Sequence, residues 1–281
     1  MRPDSDTPAS LAADEEPTIA FVHIQKAAGT TLKFILRNSL GVRHLDVNPV
    51  DPPYDRPFNH DDLAFARSAN PRLCSISSHE LIEPTRHLGG MVLPFTMLRD
   101  PVRRSASHYQ DKVVRGRREL DFSDFIDDPA NRNFQVRKIA GEEDLRAAME
   151  LLRHRYFFVG LAERFPESVR VLQALCPYPL DIRCRPQNVA GDRAISEALL
   201  SDPENLRRLQ EANELDQRLW DYVDRELLPA LRRRAGVGGD EPLPRLPVVI
   251  PPWRFHASRA YHRLVYRPLL KRERRRRAAQ A

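Results

Sequence analysis

The chain is 281 residues long, 41% hydrophobic, and carries a formal net charge of +6, so it can bury one large core without covalent staples and suits an anionic partner. Three cysteines, Cys74, Cys176 and Cys184, form no CxxC pair, which argues against a disulfide framework or a structural zinc site and for a reducing compartment. Met1 to Pro17 is polar and acidic, not a secretory signal, and no apolar stretch reaches membrane-spanning length; the expected location is cytoplasmic.

In chain order, residues 1–17 read as a disordered leader. Ile19 to Ile24 is a short, nearly continuous apolar run, the pattern of a strand covered on both faces. Leu32, Ile35, Leu36 and Leu40 then recur at helical spacing. Between strand and helix, Gly29 permits a tight turn, and Thr30 and Thr31 stand where the helix begins. Unpaired amides and the positive end of the helix dipole make such a junction an anion site, and Lys26 adds a mobile charge. Strand, turn and helix are also common scaffolding. The loop is not the usual nucleotide-triphosphatase loop, because Lys26 precedes Gly29 and no earlier glycine opens it.

The order H-I-x-K-x-A-G-T-T-L, His23 to Leu32, resembles the 5′-phosphosulfate loop of sulfotransferases that use 3′-phosphoadenosine 5′-phosphosulfate (PAPS), especially the carbohydrate-type family. Gln25 stands where that family has Pro, and Ala27 where it has Thr or Ser, which removes one hydroxyl contact. The resemblance implies that Lys26 and the loop residues Ala28, Gly29, Thr30, Thr31 and Leu32 hold the phosphosulfate. It also gives Lys26 a catalytic part, offsetting charge on the leaving 5′-phosphate.

Val42 to Asn70 reads as an irregular excursion ending in a short helix near Asp61 to Ser68, with His44 and His60 as solvated surface histidines. Leu73 to Ser77 alternates as a strand and runs into Ser78-His79-Glu80. Residues just past the carboxyl end of a parallel strand face the ligand crevice. The plain reading makes His79 a turn cap; the resemblance implies that His79 is the base taking the acceptor hydroxyl proton.

Val92 to Leu98 is the next strand, and Asp100 as N-cap with Pro101 in the first turn starts the next helix. The order R-D-P-V-x-R-x-x-S-x-Y, Arg99 to Tyr109, resembles the 3′-phosphate-binding segment of the same enzymes, with Arg99 and Ser107 as the phosphate contacts. A capped amphipathic helix would account for Arg103 and Arg104 as exposed arginines.

Farther on, Val114 to Arg118 is a basic run read as a solvated face, and Phe122 to Ile126 a short helix. Asn133 to Gly141 resembles an N-x-Q-x-R-x-x-x-G segment of bacterial relatives, implying that Gln135 and Arg137 touch acceptor or cofactor. Glu142 to Arg153 is helical, Tyr156 to Leu161 a buried strand and Glu163 to Leu175 a helix, the alternation of a parallel sheet. Phe158 to Phe165 matches a family strand. Arg185 to Val189 resembles a loop on the adenine side of the cofactor, with Asn188 as a possible contact. Ile195 to Leu231 is mostly helical. A Gly- and Pro-rich linker precedes Trp253 to Leu270, where Ala257, Tyr261, Leu264 and Val265 share a helix face. Arg272 to Arg277 reads as a solvated basic tail that could also touch a membrane surface weakly.

The expectation is therefore an α/β domain over 18–235, a three-layer P-loop NTPase-like fold with a central parallel sheet flanked by helices, and a linker and basic tail over 236–281. By resemblance it moves a sulfuryl group from PAPS to a hydroxyl, on a glycan or glycoconjugate, by in-line displacement. No metal is expected, because no acidic pair for magnesium stands out, and no specific nucleic acid. A P-loop-type kinase fits less well, having no need of Arg99 and Ser107. A non-catalytic module that binds nucleotide or an anionic glycan is the other alternative.

Overall fold

A computed structural model describes residues 16–116, 120–184, 193–238 and 246–280. Five strands, β1 Thr18–Val22, β2 His44–Asp46, β3 Ser75–Ser78, β4 Val92–Leu98 and β5 Phe158–Leu161, form one parallel sheet in the order β2-β3-β1-β4-β5. All five residues of the central strand β1 are buried, because helices cover both sheet faces, and its apolar run answers that demand.

The helices α1 Gly29–Leu40, α2 His60–Ala69, α3 Pro84–Leu88 and α4 Pro101–Gly116 follow β1 to β4 in turn. Next come α5 Phe122–Asp127, α6 Phe134–Ala140 and α7 Leu145–His154, then, after β5, α8 Phe165–Leu175, α9 Ala194–Ser201, α10 Pro203–Ala212, α11 Glu214–Tyr222 and α12 Leu228–Ala235. The chain closes with α13 Trp253–Tyr261 and α14 Arg267–Ala278, joined without a break through a wider helical turn at His262–Tyr266. This is the three-layer, P-loop-like α/β fold expected. The main core fills both sides of the sheet, and Ala106, Tyr109, Phe125, Ile126, Leu199, Leu209 and Ala212 form a second cluster that fixes α4 against α5, α9 and α10.

Four expectations are corrected. The stretch after α1 is not wholly irregular: β2 lies at the sheet edge, where the His44 ring bonds to the Ser75 hydroxyl at 2.9 Å and the Ser77 hydroxyl donates to the Asp46 carboxylate at 2.5 Å. His44 is consequently buried rather than solvated. Arg104 is not exposed on α4 but fully buried, its guanidinium 4.6 Å from the Phe134 ring centroid. The basic segment at 253–278 is not a free tail either. Tyr266 and Leu270 are buried against the main core, the Tyr261 hydroxyl donates to the Ala69 carbonyl at 2.6 Å, and Arg277 pairs with Asp51 at 2.6 Å.

Candidate active site

β1 and β3 end at one level, since Val22 is in register with Ser78, and β4, whose Thr96 is in register with Val22, runs two residues further to Leu98. The residues that follow β1, β3 and β4 are His23, His79 and Arg99. The carboxyl edge of the sheet thus gathers two histidines and an arginine whose sequence positions are far apart, as open parallel sheets do at their ligand crevices.

His79 stacks on His23 with ring centroids 4.1 Å apart, and its Nδ1 lies 3.0 Å from the His23 backbone carbonyl oxygen. A carbonyl can only accept, so Nδ1 carries the proton and donates, leaving the Nε2 lone pair to accept one. Burial lowers the His79 pKa from its ordinary value; the bond to the His23 carbonyl and the Glu80 carboxylate oppose this, and Lys33 and Lys138 reinforce it. Burial, with His79 and Lys33 adding, holds the His23 pKa still lower. Both rings are neutral at neutral pH. Lys138, whose ammonium burial pushes down to about 8, donates to the His79 backbone carbonyl and anchors the residue from below.

The Nε2 edge of the His23 ring closes on the loop. A Cβ added to Gly29 would stand 1.9 Å from His23 Nε2, so only glycine lets the start of α1 approach the histidine pair. Ala28 and Lys26 take left-handed backbone with φ of 58° and 68°, a conformation costing a non-glycine residue roughly 1–2 kcal/mol. Left-handed Ala28 followed by helical Gly29 turns successive amides toward one side, an anion-binding concavity. No side chain caps α1. The Thr31 and Leu32 amides donate to the Ala28 carbonyl at 3.1 and 3.2 Å, and the Leu32 side chain is in the core, so Leu32 ties the loop down through α1. Thr30 is half-buried and Thr31 buried beside it.

Arg99 reaches this loop directly, its Nη1 donating to the Lys26 carbonyl at 2.9 Å. The Lys26 ammonium pairs with Asp111 of α4 at 3.2 Å. Ser107, half-buried, lies one helical turn before Asp111, so α4 turns its Ser107 face to the same loop. Burial lowers the Arg99 pKa, Glu163 and Asp100 oppose the shift, and Arg193 and Arg103 add to it. Arg193 and Arg103 therefore bring further positive charge to the surroundings of Arg99, partly offset by Glu163 and Asp100, a setting that can take a multivalent anion. Asp100 caps α4 as expected, accepting from the Arg103 amide at 2.8 Å, while Glu163 accepts from the Asp100 amide at 3.0 Å.

The Gln135 side chain is bonded to the backbone of Arg99. Fully buried, it accepts from the Arg99 amide at 3.0 Å and donates to the Arg99 carbonyl at 2.8 Å. It is held in turn because Asp216 accepts from the Gln135 and Val136 amides at 2.9 and 2.8 Å. Arg137 is outside the cluster, its guanidinium donating to the Pro129 carbonyl. Asn188 lies outside the described residues.

Sequence reasoning gave no role to His23, Asp111, Lys138 or Arg193. His23 stood within the loop pattern, and Asp111 was marked by its helical spacing from Ser107; Lys138 and Arg193 carried no local signal. A cleft of about 660 Å³ beside Asp100 and Arg103, lined also by Leu200, Gln210 and Gln217, includes neither His79 nor Lys26.

No curated protein matches the chain. The family model described as "Sulfotransferase family" matches residues 10–173, more than half of the 281 residues and a span containing the loop, His79 and Arg99: the chain belongs to the sulfotransferase family.

Proposed function

We propose that this sulfotransferase takes its sulfuryl group from PAPS and delivers it to a hydroxyl of a carbohydrate, with His79 as the general base. The observation that carries the reading is the 3.0 Å approach of His79 Nδ1 to the His23 carbonyl: the carbonyl can only accept, so Nε2 of the neutral ring is left for an incoming hydroxyl proton. The same stack places His79 one ring away from Gly29, so base and anion loop share a floor.

The residues present suit the donor. The strained Lys26–Gly29 turn and the uncapped start of α1 fit a phosphosulfate, and the Arg99, Arg103 and Arg193 group with Ser107 fits the 3′-phosphate that separates PAPS from ATP. When bound, PAPS supplies the sulfuryl group. Lys26 would leave Asp111 to meet the charge that builds on the bridging oxygen, and the loop amides would hold the 5′-phosphate without rearrangement. The carbohydrate acceptor rests on the likeness of the His23 to Leu32 loop to the carbohydrate-type family.

Calorimetric titration with 3′,5′-adenosine bisphosphate and with 5′-AMP tests the donor site. A preference for the bisphosphate that collapses in Arg99→Ala is expected; equal, weak binding of both nucleotides would sink the reading. With labelled PAPS and a panel of glycans, His79→Ala should lose turnover by about 10²–10⁴-fold while binding the bisphosphate normally. Transfer retained in that variant removes His79 from the mechanism.

A further inference from the structure

We propose that the outward face of the closing helix, Trp253–Ala278, is a docking surface for an anionic phospholipid bilayer. The inward face is already used. Tyr266 and Leu270 are buried, Arg274 donates to the Pro49 carbonyl at 2.6 Å, and Arg277 pairs with Asp51 at 2.6 Å. These residues recur at i, i+4, i+8 and i+11, one side of a helix, and they lay it flat along the domain.

The opposite side begins with Leu264, Val265, Pro268 and Leu269, at i, i+1, i+4 and i+5, all exposed. The same row continues as Lys271, Arg272, Arg275 and Arg276, also exposed. Among the described residues, Lys271, Arg272 and Arg275 have no carboxylate within ion-pair distance, whereas Arg276 is matched by Glu273 at 2.6 Å.

Of the eight large hydrophobic residues exposed among the described ones, six fall in this closing segment, Val248, Ile250, Trp253, Leu264, Val265 and Leu269. Leu264 and Trp253 are 70% and 73% exposed. Scattered single apolar residues on a surface need no explanation, but this concentration on one helix and its approach does.

Charge complementarity gives an anionic partner, and the apolar residues choose its kind. A polyanionic chain would be satisfied by the arginines and lysine alone and would leave Leu264, Val265 and Leu269 in water. A bilayer interface accepts both: aliphatic side chains and Trp253 enter the headgroup boundary while the basic row meets lipid phosphates. Because the inner face is pinned to the domain, the helix lies on the surface; no described helix is long and apolar enough to cross a membrane.

The test is sedimentation of the full chain with vesicles of phosphatidylcholine alone or mixed with phosphatidylglycerol, with heparin binding measured in parallel. Binding to the mixed vesicles only is expected, with a blue shift of Trp253 emission read in a Trp220→Phe background. Leu264→Ser with Leu269→Ser should weaken vesicle binding by at least about tenfold and leave heparin affinity unchanged, since neither substitution alters the charge of the face. Lys271→Gln with Arg272→Gln and Arg275→Gln should weaken it by a similar factor. All these side chains are exposed, so an unchanged melting midpoint confirms that the variants are folded. Absence of binding to mixed vesicles, or binding indifferent to the two leucine substitutions, overturns the proposal; in the latter case with strong heparin capture, the face is a polyanion surface instead.

Discussion

Gln135 grips the backbone of Arg99 from both sides, accepting from its amide at 3.0 Å and donating to its carbonyl at 2.8 Å. The pair reproduces the pattern of a strand ladder just where β4 ends and the ladder stops. It fixes the Arg99 backbone while leaving the guanidinium to the Lys26 carbonyl and the anion group. Gln135 is therefore a positioning residue whose effect is felt at a neighbour's side chain.

Gln135→Leu should accordingly leave two buried backbone groups unpaired, at about 1–3 kcal/mol each, and let Arg99 drift. Titration calorimetry should find affinity for 3′,5′-adenosine bisphosphate reduced by about tenfold, with 5′-AMP affinity little changed. Gln135→Glu, which can still accept from the Arg99 amide, should fall between. Equal losses for both nucleotides would mean that the variant damages the fold rather than the 3′-phosphate group.

Gly29→Ala tests the proposed pairing of the His79 base with the Lys26–Gly29 loop. The new methyl would lie 1.9 Å from His23 Nε2, and the ring cannot retreat without leaving the His79 stack at 4.1 Å. Turnover should fall by about 10²-fold or more, the scale expected when a catalytic group is misplaced by an ångström. His23→Ala added to Gly29→Ala removes the clash, since the His79 bond is to the His23 backbone. The double variant should turn over faster than Gly29→Ala alone; if it does not, the collision is not the cause.

The contrast between what was and was not legible in the sequence has a physical source. β1, β4 and the helices after them declared themselves because burial on both sheet faces demands apolar runs, the buried face of α1 demands helical spacing and the start of α4 carries a cap, all of them local patterns. The placement of His79 and Arg99 just beyond strand ends was legible in the same way, whereas the roles given to them came from the resemblance to the sulfotransferases. β2 escaped because three residues, His44-Leu45-Asp46, carry no period, and their polar groups are met by partners distant in sequence, Ser75 for His44 and Ser77 with Arg37 for Asp46. The bonds of Gln135 to the Arg99 backbone escaped for a related reason: a buried amide gripping backbone and an exposed amide awaiting ligand are spelled alike. The docked closing helix was hidden by its composition, since the arginines that pair inward and those that face water cannot be told apart without the domain beneath them.

Arg104 gives the hardest case of that ambiguity. Its guanidinium is wholly buried, with no hydrogen-bond partner among the described residues, and its countercharge is Asp216, also fully buried. Burial raises the Asp216 carboxyl to about 6 despite Arg104 and two amide bonds pulling it down. Asp216→Asn should leave the cation stranded and destabilise the protein by about 3–5 kcal/mol, read by urea denaturation. Arg104→Met with Asp216→Asn should recover a large part of that loss. Simple addition of the two single effects in the double variant would show that the charges do not couple.

The pH profile of kcat/KM discriminates most sharply among roles for His79, because it reports the free enzyme. A base must be unprotonated, so the rate should rise with pH through the His79 pKa and level off above it. Burial lowers that pKa from the ordinary value of about 6.5, so the acid limb should lie below 6.5 and the rate should already be level at neutral pH. Lys138 depresses the pKa and Glu80 raises it. Lys138→Met should therefore move the limb toward higher pH, and Glu80→Gln toward lower pH. A merely structural His79 would give losses in these variants with no displacement of the limb, whereas opposite displacements from two opposite charges identify the titrating group as the imidazole between them.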